Sequence, residues 1–128
     1  MSSHVLDASA LLALLKQEQG QEVVAPIVDA GAAIGAINLS EVVARLCHDG
    51  RDEHEIRRIL GELNLEIISF DEELAYQTGL LLPLTRHRGL SLGDRACLAL
   101  AARLGLPALT ADRSWAGLQL GVQIEVVR

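Results

Sequence analysis

Four acids stand where the chain passes from an apolar, strand-like run into a helix or turn. They are Asp7 in VLDASALLALL, Glu41 in INLSEVVARL, Asp94 in LSLGDRACLALA and Asp112 in LTADRSW. An ionised carboxylate in apolar surroundings loses several kcal/mol of solvation unless something compensates it. Each acid has a purely local explanation. Asp7 can form an Asx turn with Ser9, and Glu41 can complement a helix dipole after a Ser40 cap. Asp94 can complete a capping box with Ser91, and Asp112 can form an Asx turn after Thr110. A shared location changes the balance. Two carboxylates ~5 Å apart at an effective dielectric of ~20 repel by roughly 3 kcal/mol, and four in one cleft accumulate such terms. Mg²⁺ or Mn²⁺ reverses the sign, because a hard cation prefers oxygen ligands and accepts a few carboxylates plus waters. The chemistry of such a site is phosphoryl transfer to water, in which the ion acidifies the nucleophile and offsets charge on the phosphate.

The elements that must position these acids follow from the alternation of β-like and helical runs. His4-Val5-Leu6 predicts a first strand, with Ser9 capping the helix ALLALLKQ. Gly20 breaks that helix, and a second follows through about Asp29. Residues 32 to 37, AAIGAI, predict a buried strand, and Asn38-Leu39-Ser40 leads into the helix SEVVARLCHD, stopped at Gly50. Asp52 and Glu55 resemble a capping box for HEIRRILGEL. LEIISF is the next strand, and Asp71 caps EELAYQTGLLL, expected to end near Pro83. After the loop TRHRGLS comes the alanine-rich helix GDRACLALAARL, then strand PALT, a turn in ADRSWAGL and a final strand VQIEVV. The pattern predicts an α/β class: one domain over residues 1–128, with a mainly parallel sheet of about five strands flanked by helices. In such sheets ligands bind beyond the carboxyl ends of the strands, where all four acids fall.

Composition narrows the function classes. Half of the residues are apolar, yet there is one Trp, one Tyr and one Phe, so the core is aliphatic. The apolar runs fall short of the roughly 18 residues of a membrane span, and no secretory signal is expected at the N-terminus. Cys47 and Cys97 stand alone, without metal-ligand spacing, and read as reduced, buried thiols of a cytoplasmic protein. Net charge is −6 with a single lysine, Lys16, which is not the footprint of a general nucleic-acid binder. A nucleic-acid role would rest on local arginines and bound cations. Arg86-His87-Arg88 is the densest basic cluster, and reads either as a solvated loop or as a phosphate-gripping one beside the Asp94 helix. His4, His48, His54 and His87 share no ligand spacing, and Trp115 reads as a packing residue. No glycine-rich phosphate loop and no Cys-His or Ser-His arrangement competes with the acids.

VLDASALLALL, INLSEVVARL, LSLGDRACLALA and LTADRSW, in that order, resemble the PIN-domain ribonucleases, and above all the toxin subunits of VapBC toxin–antitoxin pairs. The likeness runs from residue 3 to the C-terminus. It implies that Asp7, Glu41, Asp94 and Asp112 are the catalytic acids that bind Mg²⁺ or Mn²⁺. Ser9 and Thr110 match hydroxyl positions that orient those acids or their waters, and Asn38 matches a polar position beside the site. It further implies endonucleolytic cleavage of RNA by water, leaving a 5′-phosphate and a 3′-hydroxyl. The implied partners are a second copy of the chain and a small VapB-type antitoxin. Arg86 and Arg88 are the candidate substrate contacts. Some family members carry a further acid shortly after the Asp112 position, where this chain has Arg113, Ser114 and Trp115, which puts a second metal in question. The alternatives are a PIN-type nuclease of RNA processing outside any toxin–antitoxin pair, and a haloacid-dehalogenase-like phosphatase. The last needs D-x-D where this chain has Asp7-Ala8-Ser9.

Overall fold

Val5 and Leu6 form the short central strand β1 (Val5–Leu6), and both are fully buried because helices cover both faces of the sheet. The computed structural model describes residues 1–128. After β1 come α1 (Ala8–Leu15), α2 (Gln21–Ala30), β2 (Ala32–Gly35), α3 (Ala36–His48), α4 (Glu53–Gly61) and β3 (Leu65–Ile68). The second half holds α5 (Glu72–Leu80), α6 (Leu82–Thr85), α7 (Leu92–Leu104), β4 (Ala108–Thr110) and β5 (Ile124–Val126). Short 3₁₀ turns occupy Arg86–Arg88 and Arg113–Trp115. No helix is long and apolar enough to cross a membrane.

All pairings in the five-stranded sheet are parallel, in the order β3-β2-β1-β4-β5. The pleat sorts the central strands into two sets. Leu6, Ile34 and Leu109 are in register and face α1–α4, joining Ala10, Leu11, Val24, Val28, Val42 and Ile56. Val5, Ala33 and Ala108 face the opposite way, toward α5 and α7, with Leu74, Cys97, Leu100 and Trp115. The small side chains of Ala33 and Ala108 leave room for the alanine-rich α7, whose Ala96, Ala99 and Ala101 are buried. Gly35 continues this fit, since a Cβ there would sit 3.3 Å from Leu100 Cδ2.

The chain steps from β1 through β2 to β3 on one side, then returns to the other side of β1 as β4 and β5. Strand order therefore reverses between β1 and β4, and the crevice beyond their carboxyl ends is the expected ligand site of an open parallel sheet.

Local differences from the sequence expectation have identifiable causes. Asp7, not Ser9, caps α1: its carboxylate accepts from Ala10 N at 2.8 Å. The strand expected over 32–37 ends at Gly35, and α3 starts at Ala36 with no side-chain cap. The helix expected to run to Pro83 stops at Leu80, and Pro83 instead enters the first turn of the short α6, where its missing N–H is harmless. Cys97 is buried as expected, whereas Cys47 is exposed. Asp52 and Asp71 cap α4 and α5, and Ser91 and Asp94 form a full capping box on α7.

One tertiary contact ties the α1–α2 junction to the end of β5. Gly20 has φ of +102°, and a Cβ there would lie 2.6 Å from Val127 Cγ2 and 2.8 Å from Val127 O. Gly20→Ala is expected to destabilise the fold by about 1–3 kcal/mol, read as a lowered urea midpoint at unchanged m value. An unchanged midpoint would contradict this close approach.

Candidate active site

Asp7 leaves the end of β1 and points into the crevice between β1 and β4 with only 3 % of its surface exposed. Four donor contacts converge on its carboxylate. Ala10 N donates to Oδ1 at 2.8 Å, and Thr110 Oγ1 donates to Oδ2 at 2.6 Å. Ser9 Oγ lies 2.8 and 2.9 Å from the two oxygens, so its one proton is shared between them. Each hydroxyl is itself set by a backbone N–H from the exit of β4. Ala111 N donates to Ser9 Oγ at 2.9 Å, and Asp112 N donates to Thr110 Oγ1 at 3.0 Å. The result locks the ends of two adjacent strands around one carboxylate.

The other three acids come from separate elements and line the same cavity, of about 300 Å³, together with Asp7, Ser9 and Arg45. Each has one oxygen tethered by the chain and the other left without a donor. Asn38 Nδ2 donates to Glu41 Oε1 at 2.9 Å along α3, and also to Gly93 O at 3.0 Å, which links α3 to the start of α7. Ser91 N donates to Asp94 Oδ2 at 2.9 Å. Ser114 N donates to Asp112 Oδ1 at 2.9 Å. Glu41 Oε2, Asp94 Oδ1 and Asp112 Oδ2 are the oxygens left for a ligand.

Electrostatics records the proximity of Asp7, Glu41 and Asp94. Burial pushes the Asp7 carboxyl up from 3.8 to about 6, against the hydrogen bonds from Thr110, Ala10 and Ser9, with a further push from Asp94. Glu41 is raised by partial burial and by Asp94, against the Asn38 hydrogen bond. The buried Cys97 thiol, one turn after Asp94 on α7, is pushed well up by burial and by the field of Asp7, Asp94 and Glu41. These groups feel one another as a single patch of negative charge.

No three of the side chains converge closely enough to cage an ion by themselves. The donors offered are all carboxylate oxygens, the ligand type that Mg²⁺ or Mn²⁺ takes, with several waters kept and one or two carboxylates used directly. Asp7, with both oxygens already bonded, suits the role of a fixed negative centre. Glu41, Asp94 and Asp112 offer the free oxygens.

Of the residues singled out from sequence, Asp7, Ser9, Asn38, Glu41, Asp94, Thr110 and Asp112 meet in this crevice. Arg86 and Arg88 do not line it. Arg88 Nη1 donates to the carbonyls of Ser114 and Ala116 at 2.6 and 2.8 Å, clasping the turn that buries Trp115. Arg86 is exposed on its 3₁₀ turn. Two site residues were missed. Gly93 gives way to Glu41: a Cβ there would fall 2.6 Å from Glu41 Cδ and closer still to both oxygens. A glycine one residue before a candidate acid was the available signal. Arg45, one helical turn beyond Glu41, lines the cavity, and the i,i+4 spacing could have located it.

The family model for the PIN domain matches residues 4–119. Solved structures with the same fold include a chain of the DNA-bound VapBC complex of Salmonella typhimurium, at 19% identity and a TM-score of 0.76, covering all of both chains. The sarcin-ricin loop cleaving toxin VapC20 of Mycobacterium tuberculosis is similar at 18% identity and a TM-score of 0.73, covering 94% of this chain and 99% of that one. A chain of a toxin–antitoxin complex from Klebsiella pneumoniae is similar at 26% identity and a TM-score of 0.66, over 94% and 95% of the two chains. No curated protein sequence matches the chain.

The raised Asp7 carboxyl has a signed consequence. The metal-free native state takes up a proton before the unfolded chain does, so this group's contribution is fully present below pH ~4 and is lost as pH rises through about 6. Ionised Asp7 then costs roughly 3 kcal/mol. Metal-free Asp7→Asn protein is expected to exceed the wild type in urea-unfolding stability at pH 7.5 and to lose that advantage at pH 4. Equal destabilisation at both pH values would reduce Asp7 to a local cap. Gly93→Ala is expected to leave thermal stability within about 1 kcal/mol, while cutting the Mg²⁺-induced rise in Tm, because Glu41 must swing away. A full Mg²⁺ response in that variant would contradict the fit.

Proposed function

This chain belongs to the PIN-domain family, and on that footing we propose that it is a metal-dependent endoribonuclease, acting as the toxin of a toxin–antitoxin pair. The observation that carries the reading is the convergence of four acids from four separate elements on one cavity at the β1/β4 reversal. Few arrangements other than cation binding make that much negative charge worth gathering. When bound, Mg²⁺ or Mn²⁺ supplies an acidified water and neutralises charge on the phosphate. The chain's own residues do the positioning. Thr110, Ser9 and Ala10 hold Asp7 rigid. Asn38 aims Glu41, while the Ser91 and Ser114 backbones turn Asp94 and Asp112 so that one oxygen of each faces the cavity. An RNA phosphodiester bound there is hydrolysed in line, leaving a 5′-phosphate and a 3′-hydroxyl.

Neighbouring structures that are toxin–antitoxin complexes support a small antitoxin as partner; a homodimer working in the cytoplasm is part of the same proposal and rests on the family resemblance alone. The sarcin-ricin loop named as what the mycobacterial relative cleaves makes structured RNA the first substrate class to try. A role in RNA processing outside such a pair uses the same site and differs in whether an antitoxin exists.

Antitoxin-free protein incubated with a panel of structured RNAs is expected to cleave in Mg²⁺ or Mn²⁺ and to stop in chelator. Asp94→Asn should lower the rate by at least about a hundredfold. Cleavage that persists in chelator, or at wild-type rate in Asp94→Asn, would sink the mechanism.

A further inference from the structure

An acidic protein that cuts a polyanion must hold the strand on either side of the acids, and the eleven cationic side chains are unevenly placed for that task. Most are already occupied. Lys16, Arg51, Arg57, Arg58 and Arg103 pair with carboxylates away from the cavity. Arg88 and Arg95 are spent on backbone carbonyls. Three of the remaining four border the acids. Arg45 lines the acid cavity itself, held only by a 3.9 Å approach to Asp49. Arg113 and Arg128 line a second open cavity of about 610 Å³, which shares Ser9 and Asp112 with the first. Gln19 and Ala111 complete its wall, so Asp112 is the one acid in it.

Arg128 is fixed rather than free. Its Nε donates to Gln19 O at 2.9 Å and its Nη2 to Glu18 Oε1 at 3.0 Å, which leaves Nη1 for a ligand. Arg113 follows Asp112 directly and is exposed, with a backbone held in the 3₁₀ turn that Asp112 caps. Two guanidiniums, one anchored through Gln19 O and the Glu18 carboxylate and one adaptable, with Asp112 the one acid on the cavity wall, make a site for a phosphate group. We propose that the cavity of Arg113 and Arg128 is the subsite for the phosphate adjacent to the scissile one, on the Asp112 side of the cleft. Arg45 holds the strand on the Glu41 side. This rests on the ribonuclease reading and assigns its grip on the strand to these arginines rather than to Arg86 and Arg88.

The test measures binding without cleavage. A labelled, random-sequence single-stranded RNA is titrated in Mg²⁺ against Asp94→Asn protein, alone and with Arg113→Gln, Arg128→Gln, Arg128→Lys or Arg86→Gln. Arg113→Gln and Arg128→Gln are each expected to weaken binding about tenfold, and to reduce the slope of log affinity against log salt by about 0.7. Arg128→Lys should restore the slope, and Arg86→Gln should leave both quantities unchanged. With Asp94 intact, Arg113→Gln should raise KM with little change in kcat, because uniform binding is lost. Arg113→Gln and Arg128→Gln proteins that bind RNA with wild-type affinity and slope overturn the subsite while leaving the nuclease reading intact. A wild-type protein that cleaves no RNA in the panel, with an Asp94→Asn protein that binds none, overturns both.

Discussion

Everything at the functional end of this molecule depends on keeping a buried carboxylate charged. Asp7 is the cap of α1, the continuation of β1 and the acceptor for two hydroxyls controlled from β4. Four donor contacts offset part of its desolvation but not all, as the upward displacement to about 6 records. A protein that wanted only a helix cap could place the acid at the surface, as it does with Asp52 and Asp71. Here the cap is sunk into the crevice where strand order reverses, with Asp94 close enough to raise its carboxyl further. The metal-free fold tolerates that tension, and on the proposed reading a cation would relieve it.

The rest of the site is built around the same compromise. Asp94 spends one oxygen on the α7 capping box and Asp112 spends one on its Asx turn, so the ordinary devices that end strands and start helices also aim the functional groups. The local explanation of these acids and the proposed metal-binding one are therefore compatible: capping occupies one oxygen of each, and the second oxygen is left without a donor. Gly93 and Asn38 show the same economy between α3 and α7, one by making room for Glu41 and the other by hydrogen-bonding it.

Much of this was legible in the chain. The five-stranded parallel α/β architecture followed from the alternation of runs, and the meeting of the four acids around one cavity followed from their places after strands and before helices. Resolution failed where a local signal had two uses. Ser9 looks like a helix cap because serine favours that position, but Asp7 two residues earlier takes the cap and frees the Ser9 hydroxyl to reach β4. AAIGAI looks like six residues of strand because it is uniformly apolar. The helix that follows needs no capping side chain, so nothing in the sequence marks its start at Ala36. Arg86 and Arg88 drew attention as the densest basic cluster, yet basic density along the chain says nothing of which arginine faces the acids. Arg45, Arg113 and Arg128 are scattered in sequence and gathered by topology.

The central claim is that Asp7 is a strained carboxylate that a divalent cation stabilises in its charged form. The most direct measurement is a carbon-13 NMR titration of the Asp7 side-chain carboxyl, without and with saturating Mg²⁺. The midpoint should lie near 6 in the metal-free protein and move down by more than about one pH unit with Mg²⁺. A midpoint that stays in place when Mg²⁺ is added, with Asp7 unperturbed by the ion, would contradict the account.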